Sequence, residues 1–378
     1  MGIEMQSKIR VNRVKLRALL IGFLLICNVN ILFAENLRNL SKTNFKWKAL
    51  WAHPVTTLED VKKMVELTGK MGFNVLIVQA TKSNGKCFYN SKILNKSKKI
   101  KIDPLREVIK EAKKKKIKVY TWIVNLRVPP KEFFKSHQEY LQKVKSEEKE
   151  AARKSRVNPD RVNVHGGMWL CPDRGLVDFE KNIIEELIKN YDIDGIGIDY
   201  LGYRNYYACF CDYSNKKRKE FAKKHPKLSE KEVITQFSEQ SLVNWTKQLR
   251  EIVQDIKPNL KLAIHIYPDF DLNPEYGNKL YVDYCGQTIA WFYKPFWSYG
   301  KIYDKATAYK QAEGKYHKYN KHVPFVGVYT GKRLKSPERL RKEIRIAGTS
   351  GADTIMISFY KTFVERPDLA KVVAEELK

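Results

Sequence analysis

The chain has 378 residues, 43% of them hydrophobic and 30% charged, which suits one large barrel or two medium domains and is too apolar for a disordered protein. Its formal net charge is +29, a field that favours anionic polymers, membrane surfaces or nucleic acid. The lysines are scattered over helical stretches such as Lys113–Lys116 and Lys216–Lys219, as on solvated faces. No helix-turn-helix, RNP or zinc-finger pattern occurs, so nucleic acid is not an expected partner.

At the N-terminus, Lys8, Arg10, Arg13, Lys15 and Arg17 precede the apolar run Ala18–Cys27, and Ala34 offers a small residue for cleavage. This pattern predicts a signal peptide over 1–34, a short linker over 35–46 and an exported, periplasmic or extracellular protein. An uncleaved anchor is the alternative, although Asn28 and Asn30 cut the run short of the roughly 20 residues a spanning helix needs. Ile26 before Cys27 does not fit a lipid-attachment site. Without residues 1–34, which hold five basic residues and Glu4, the charge is +25. Five cysteines then remain (Cys87, Cys171, Cys209, Cys211 and Cys285), so they cannot all pair within the chain. Cys209 and Cys211 have no second closely spaced pair to complete a zinc knuckle, so no metal is expected; free, bridged or metal-bound states stay open for them.

From Trp47 onward, short apolar runs alternate with stretches of helical period, the rhythm of parallel βαβ units. The predicted strands are Lys48–Pro54, Asn74–Thr81, Lys118–Leu126, Gly195–Leu201, Lys261–Tyr267, Thr288–Phe296, Pro324–Thr330 and Thr354–Tyr360. Helices are expected over Leu58–Met71, with Thr57 as its cap, and over Asp103–Lys116, Val177–Tyr191, Phe237–Lys257, Lys301–Asn320, Ser336–Gly351 and Pro367–Leu377. Eight strands without a linker fit an α/β fold, a single (β/α)₈ TIM barrel over 47–378 with enlarged loops on its C-terminal face. A doubly wound sheet would want a Gly-rich phosphate loop after its first strand, where His53-Pro54-Val55-Thr56 stands instead. No cofactor is expected. The long insert between strands three and four, 128–176, carries a predicted charged helix over 131–154 and then Asn163 to Asp173 with His165, an excursion suited to an active-site rim.

Reacting groups of such barrels sit at the carboxyl ends of strands. Those ends offer Trp51, His53, Gln79, Trp122, Asn125, Tyr203, Arg204, His265, Tyr293, Trp297, Tyr329 and Tyr360 as substrate-binding candidates. Trp169 and Trp291 also lie near, and flat rings of this kind cover the apolar faces of sugars or simply fill the core. Asp199 differs from all of these, because a carboxylate closes the apolar run Ile193–Ile198, where burying an unpartnered charge is costly. A salt bridge to Arg204 would make it structural; otherwise it is a catalytic candidate. Asp194 opens the same strand at the stability face, and Asp192 is a turn residue. Glycosidic cleavage normally needs two carboxyl groups. Asp269, just past strand five, is the first choice of partner, ahead of Asp271, Glu275 and Asp283.

These residues resemble the glycosyl hydrolase-like 10 family of bacterial envelope proteins. Trp47-Lys-Ala-Leu-Trp51, Met71–Gln79 and Tyr89-Asn-Ser91 resemble its opening strand, its "GFN" strand and its "YxS" loop. Asp103-Pro-Leu105 with Val119–Asn125 resembles its "DPL…AW.N" block. Trp169-Leu-Cys-Pro172 followed by Tyr191–Tyr200 resembles "LNP…YDVDGIHLDDY", and Ser336-Pro337 and Gly351–Ile355 fit its ending. The resemblance implies a (β/α)₈ glycosidase acting on an envelope polysaccharide or oligosaccharide, with Asp199 catalytic and anionic envelope polymers as further partners. Three departures stand out: Tyr200 replaces the second aspartate of the pair, Cys171 replaces an asparagine, and Lys48 replaces an arginine. They leave open a catalytically weak or inactive barrel that binds envelope glycans. A metal-assisted hydrolase built on His53, His265 and Asp199 would want a close histidine pair, which is missing.

Overall fold

The computed structural model describes residues 44–96, 100–145, 167–205, 207–266, 275–329 and 335–378. The expected signal peptide, His165, Asp269 and Asp271 lie outside these residues. Eight parallel strands close into a barrel: β1 (Trp47–Ala52), β2 (Val75–Gln79), β3 (Lys118–Val124), β4 (Gly195–Asp199), β5 (Lys261–Ile266), β6 (Tyr284–Ala290), β7 (Lys321–Gly327) and β8 (Thr354–Ser358). Helices α1 (Leu58–Lys70), α2 (Pro104–Lys114), α3 (Asp178–Asn190), α4 (Glu230–Ile256), α5 (Tyr299–Gln311), α6 (Pro337–Thr349) and α7 (Pro367–Leu377) lie between and after them. The (β/α)₈ barrel expected from the rhythm of the chain is the fold.

Local chemistry explains most of the element ends. The Thr57 hydroxyl accepts from the Asp60 N–H at 3.1 Å, and Asp103 accepts from the Arg106 N–H at 3.2 Å. Each satisfies a donor that the first helical turn leaves orphaned. Helix α4 starts at Glu230 rather than Phe237, because Ser229 and Glu232 form a reciprocal capping box. The helix expected over 131–154 stops at Ser136. There the chain leaves the helix to make an antiparallel bridge between Leu141 and Leu170, and the Gln142 side chain donates to the Leu170 and Gly202 carbonyls. Residues 146–154 lie outside the described set.

The largest shift concerns β6, expected at 288–296 and found at Tyr284–Ala290. Gly286 and Gln287 interrupt the apolar run and hide the strand. Gly286 is needed there: a Cβ would come within 2.5 Å of Met356 Sδ and 2.7 Å of the Ile264 carbonyl. Trp291 to Trp297 consequently belong to the loop above the strand.

Side chains alternate in and out along each strand. The inward set includes Trp47, Ala49 and Trp51 of β1, Val75 and Ile77 of β2, Tyr120, Trp122 and Val124 of β3, and Ala263 of β5. On β4 the same alternation turns Gly195, Gly197 and Asp199 inward, beside these large neighbours. A Cβ on Gly195 would meet the Tyr120 ring at 2.6 Å, and one on Gly197 would meet Ile77 Cγ2 at 2.6 Å. The two glycines thus cede their interior space to Tyr120 and Ile77, and Asp199 is the side chain that β4 presents at the C-terminal mouth. Gly197→Ala should cost about 1–3 kcal/mol by overpacking, measured as a lower urea midpoint at unchanged slope.

Candidate active site

Strand register builds the site. Val124 pairs with Asp199 across β3 and β4, and Gly197 pairs with Ala263 across β4 and β5. Two residues further on, Asp199 therefore stands beside His265. The carboxylate is only 3% exposed. Its Oδ1 accepts from the Tyr200 N–H at 2.9 Å and lies 3.6 Å from His265 Nδ1. Among the described residues His265 is the basic side chain beside the carboxylate, and the salt bridge to Arg204 weighed from sequence is not formed. Tyr200 takes φ = 57°, the left-handed region that costs a non-glycine residue about 1 kcal/mol or more. That backbone turn aims its N–H at the preceding carboxylate.

The network around His265 gives its orientation. Nε2 lies 3.0 Å from Thr288 Oγ1, and that hydroxyl donates to the Ile266 carbonyl at 3.1 Å. With the Thr288 proton committed, Oγ1 accepts and Nε2 is assigned as the donor. Nδ1 then faces Asp199. Phe325 stacks on the imidazole at 3.8 Å between centroids. Asn125, buried, donates to the Asp199 backbone carbonyl at 3.0 Å and fixes the end of β4.

Above Asp199 opens a cleft of about 520 Å³, lined by His53, Gln79, Trp122, Asp199, Tyr293 and Tyr329 among the expected residues. It is also lined by Tyr200, noted as the departure from the family's paired aspartates, and by Lys82, Ser83, Phe88, Arg127, Phe292 and Phe359, which were not candidates from sequence. Among the described lining residues Asp199 is the one carboxylate. Tyr293 and Tyr329 are 43% and 41% exposed and meet edge to face at 5.2 Å, so their rings are available at the mouth. His53 Nδ1 lies 3.2 Å from Gln79 Oε1, and Phe359 stacks on the imidazole at 4.8 Å. Desolvation by these neighbours lowers the His53 pKa from its usual 6.5, partly offset by Gln79 and by the Asp199 charge.

Other expected residues lie elsewhere, each for a packing reason. Trp51 points into the barrel interior and sits edge to face with Trp122 at 5.1 Å. Tyr203 is buried away from the cleft, where its hydroxyl donates to Asp173 and lies 3.2 Å from the Ser238 carbonyl. The Arg204 backbone is tied to Gln142, and its side chain is not part of the cleft lining. Trp297 is buried against Trp291 at 5.9 Å with Lys301 over its ring. Tyr360 begins the helix after β8 and packs on the outside with α1 and α7 residues such as Leu67 and Ala370.

Two further carboxylates weighed as partners of Asp199 are tied up in ion pairs. Asp283 binds Arg250 at 2.8 Å and Lys261 at 3.2 Å, just before β6. Glu275 is held by Lys315 and Tyr316. Asp194 accepts from the Val119 N–H at 2.9 Å, at the far end of β4.

The family model for glycosyl hydrolase-like 10 matches residues 37–341. The chain belongs to the glycosyl hydrolase-like 10 family. Comparison with curated protein sequences gives no match. Solved structures with a similar barrel include α-L-fucosidase isoenzyme 2 from Paenibacillus thiaminolyticus, with a TM-score of 0.57 and 17% identity over 87% of this chain and 48% of that one. This chain thus spans about half the length of the fucosidase. The PgaB (BpsB) glycoside hydrolase domain from Bordetella bronchiseptica has a TM-score of 0.56 at 11% identity, covering 88% of this chain and 99% of the domain. The endo-β-1,4-mannanase from Thermotoga petrophila has a TM-score of 0.53 at 11% identity, covering 90% and 77%. At these identities the likeness is one of fold.

Several motif residues shared with the glycosyl hydrolase-like 10 family have scaffold roles here. Tyr89 and Ser91 of the "YxS" loop bond Glu186 at 3.0 and 2.6 Å, fastening the loop after β2 to α3. Asp103 of the "DPL" block caps α2 and accepts from the Tyr191 hydroxyl at 2.7 Å. Lys48, standing for the family's arginine, points away from the interior and donates to the Leu377 carbonyl at 2.7 Å. At Tyr200, in place of the second aspartate, the Arg127 guanidinium lies 4.8 Å from the ring centroid. In an NMR titration, His53 should protonate below pH 6.5, and Asp199→Asn should move its midpoint further down, because a charge that favours imidazolium is lost. An unchanged midpoint in the variant would disprove the coupling.

Proposed function

We propose that this protein is an exported glycosidase that cleaves a polysaccharide or oligosaccharide of the cell envelope, using Asp199 as one of two catalytic carboxyl groups. The observation that carries this reading is a buried carboxylate at the end of β4, on the floor of a cleft walled by Trp122, Phe292, Tyr293, Tyr329 and Phe359. Flat rings present apolar faces to pyranose rings, and in this reading Asp199 acts as nucleophile or as base for a water. Asp269, three residues beyond β5 in the sequence, is the proposed general acid. A carboxyl separation of about 5 Å would give retention and one of about 6.5–9.5 Å inversion. Lys82 and Arg127 beside a lone described carboxylate favour glycans that carry acidic groups.

Export rests on the basic and apolar pattern of residues 1–34. The strongly basic remainder would hold the protein near anionic envelope polymers, an association that weakens with salt.

Tyr200, where the family carries its second aspartate, favours a second reading in which the barrel binds envelope glycan with little or no turnover. Release of reducing ends from peptidoglycan strands and a panel of acidic and neutral glycans separates the two. A glycosidase loses about 10²–10⁴-fold in kcat on Asp199→Asn, with its fold intact by circular dichroism. Tight glycan binding without product, unaltered by that substitution, selects the binding protein.

A further inference from the structure

Beneath the rim of the cleft, Cys171 from the insert after β3 meets Cys209 and Cys211 from the loop after β4. All three are buried, at 1%, 0% and 3% exposure, and their sulfurs lie within 4.8 Å of one another. Cys171 Sγ and Cys211 Sγ are 3.8 Å apart. A disulfide would need about 2.05 Å, whereas sulfurs about 2.3 Å from a tetrahedral zinc are separated by about 3.8 Å. We propose that Cys171, Cys209 and Cys211 bind a zinc ion that clamps the insert after β3 to the loop after β4.

The surroundings suit such a site. Ser214 Oγ lies 3.2 Å from both Cys171 Sγ and Cys211 Sγ, near enough to the thiols to supply a fourth ligand. The Cys211 N–H points at Cys209 Sγ at 3.5 Å, the backbone-to-sulfur contact that stabilises a thiolate in a tight loop. Three thiolates on a divalent ion leave one negative charge, and the buried Arg218 supplies a positive one. Its Nη1 donates to the Cys209 carbonyl at 2.6 Å, and its guanidinium lies over Phe210 at 4.7 Å. The burial of all three cysteines suits a structural site closed by protein ligands. Cys87 and Cys285 lie outside this cluster.

The mechanical consequence concerns the cleft. Trp169, two residues before Cys171, is buried edge to face against Tyr200 at 5.6 Å, and the Leu170 N–H bonds the Leu126 carbonyl at 2.7 Å. A metal clamp at Cys171 thus holds the wall on which Tyr200 and Arg127 rest.

Full-length protein purified under reducing conditions with zinc should carry one zinc per chain by elemental mass spectrometry. Replacement by cobalt should give a thiolate-to-cobalt charge-transfer band and the intense visible bands of a tetrahedral site. Cys209→Ser and Cys211→Ser should lose the metal and Cys87→Ser keep it, while stripping zinc from the unmutated protein should lower Tm reversibly. The proposal is overturned if the reduced, unmutated protein takes up neither zinc nor cobalt. Unchanged zinc content in both cysteine variants, or a disulfide among the three cysteines in a peptide map, overturns it equally.

Discussion

Closure of the barrel forces every inward side chain to compete for one interior volume. Eight strands point alternate residues at a common axis, and at native packing density a large group from one strand requires a small one from its neighbour. Trp51, Ile77, Tyr120 and Trp122 occupy one side of that axis, and Gly195 and Gly197 yield to them. The polarity of the site follows from this division. The side chains from β1 to β3 make the apolar floor, β4 reaches the mouth as a carboxylate, and β5 places an imidazole beside it through register alone.

Burial of Asp199 then sets what surrounds it. A carboxylate at 3% exposure needs donors, and the structure supplies the Tyr200 N–H, with the His265 ring 3.6 Å away. The left-handed backbone at position 200 serves that donor, and Asp and Asn tolerate this region better than most residues. The aspartate usual at this place in the family therefore has a backbone rationale as well as a chemical one. Tyrosine gives up that ease, and its ring is held instead by Trp169 and Arg127.

Much of this was legible in the chain. The apolar runs gave the strand count and the closed barrel, since buried parallel strands read as continuous hydrophobic stretches. A charge closing such a run marked Asp199. What escaped had a physical cause in each instance. Strand β6 was displaced in the reading because Gly286 and Gln287 look like a loop, and the glycine answers to Met356, seventy residues away in the sequence. Trp51 and Trp297 were candidates because the end of a strand was equated with the mouth; whether a ring points to the core or the solvent depends on neighbouring strands. Arg127 and Phe359 carried no local signal. The Cys171 sulfur that meets Cys209 and Cys211 comes from another loop, a proximity that no spacing in the sequence signals.

The two inward glycines of β4 also bear on how this site can be interrogated. A strand whose interior face has no side-chain atoms below residue 199 transmits little packing strain to that residue, and the core beneath is filled by other strands, with Trp51, Ile77, Tyr120, Phe325 and Met356 among them. Exchanging the carboxylate for its isosteric amide leaves that filling untouched. Chemistry at position 199 is for this reason nearly independent of folding, and a loss of turnover there speaks to the reaction rather than to the scaffold.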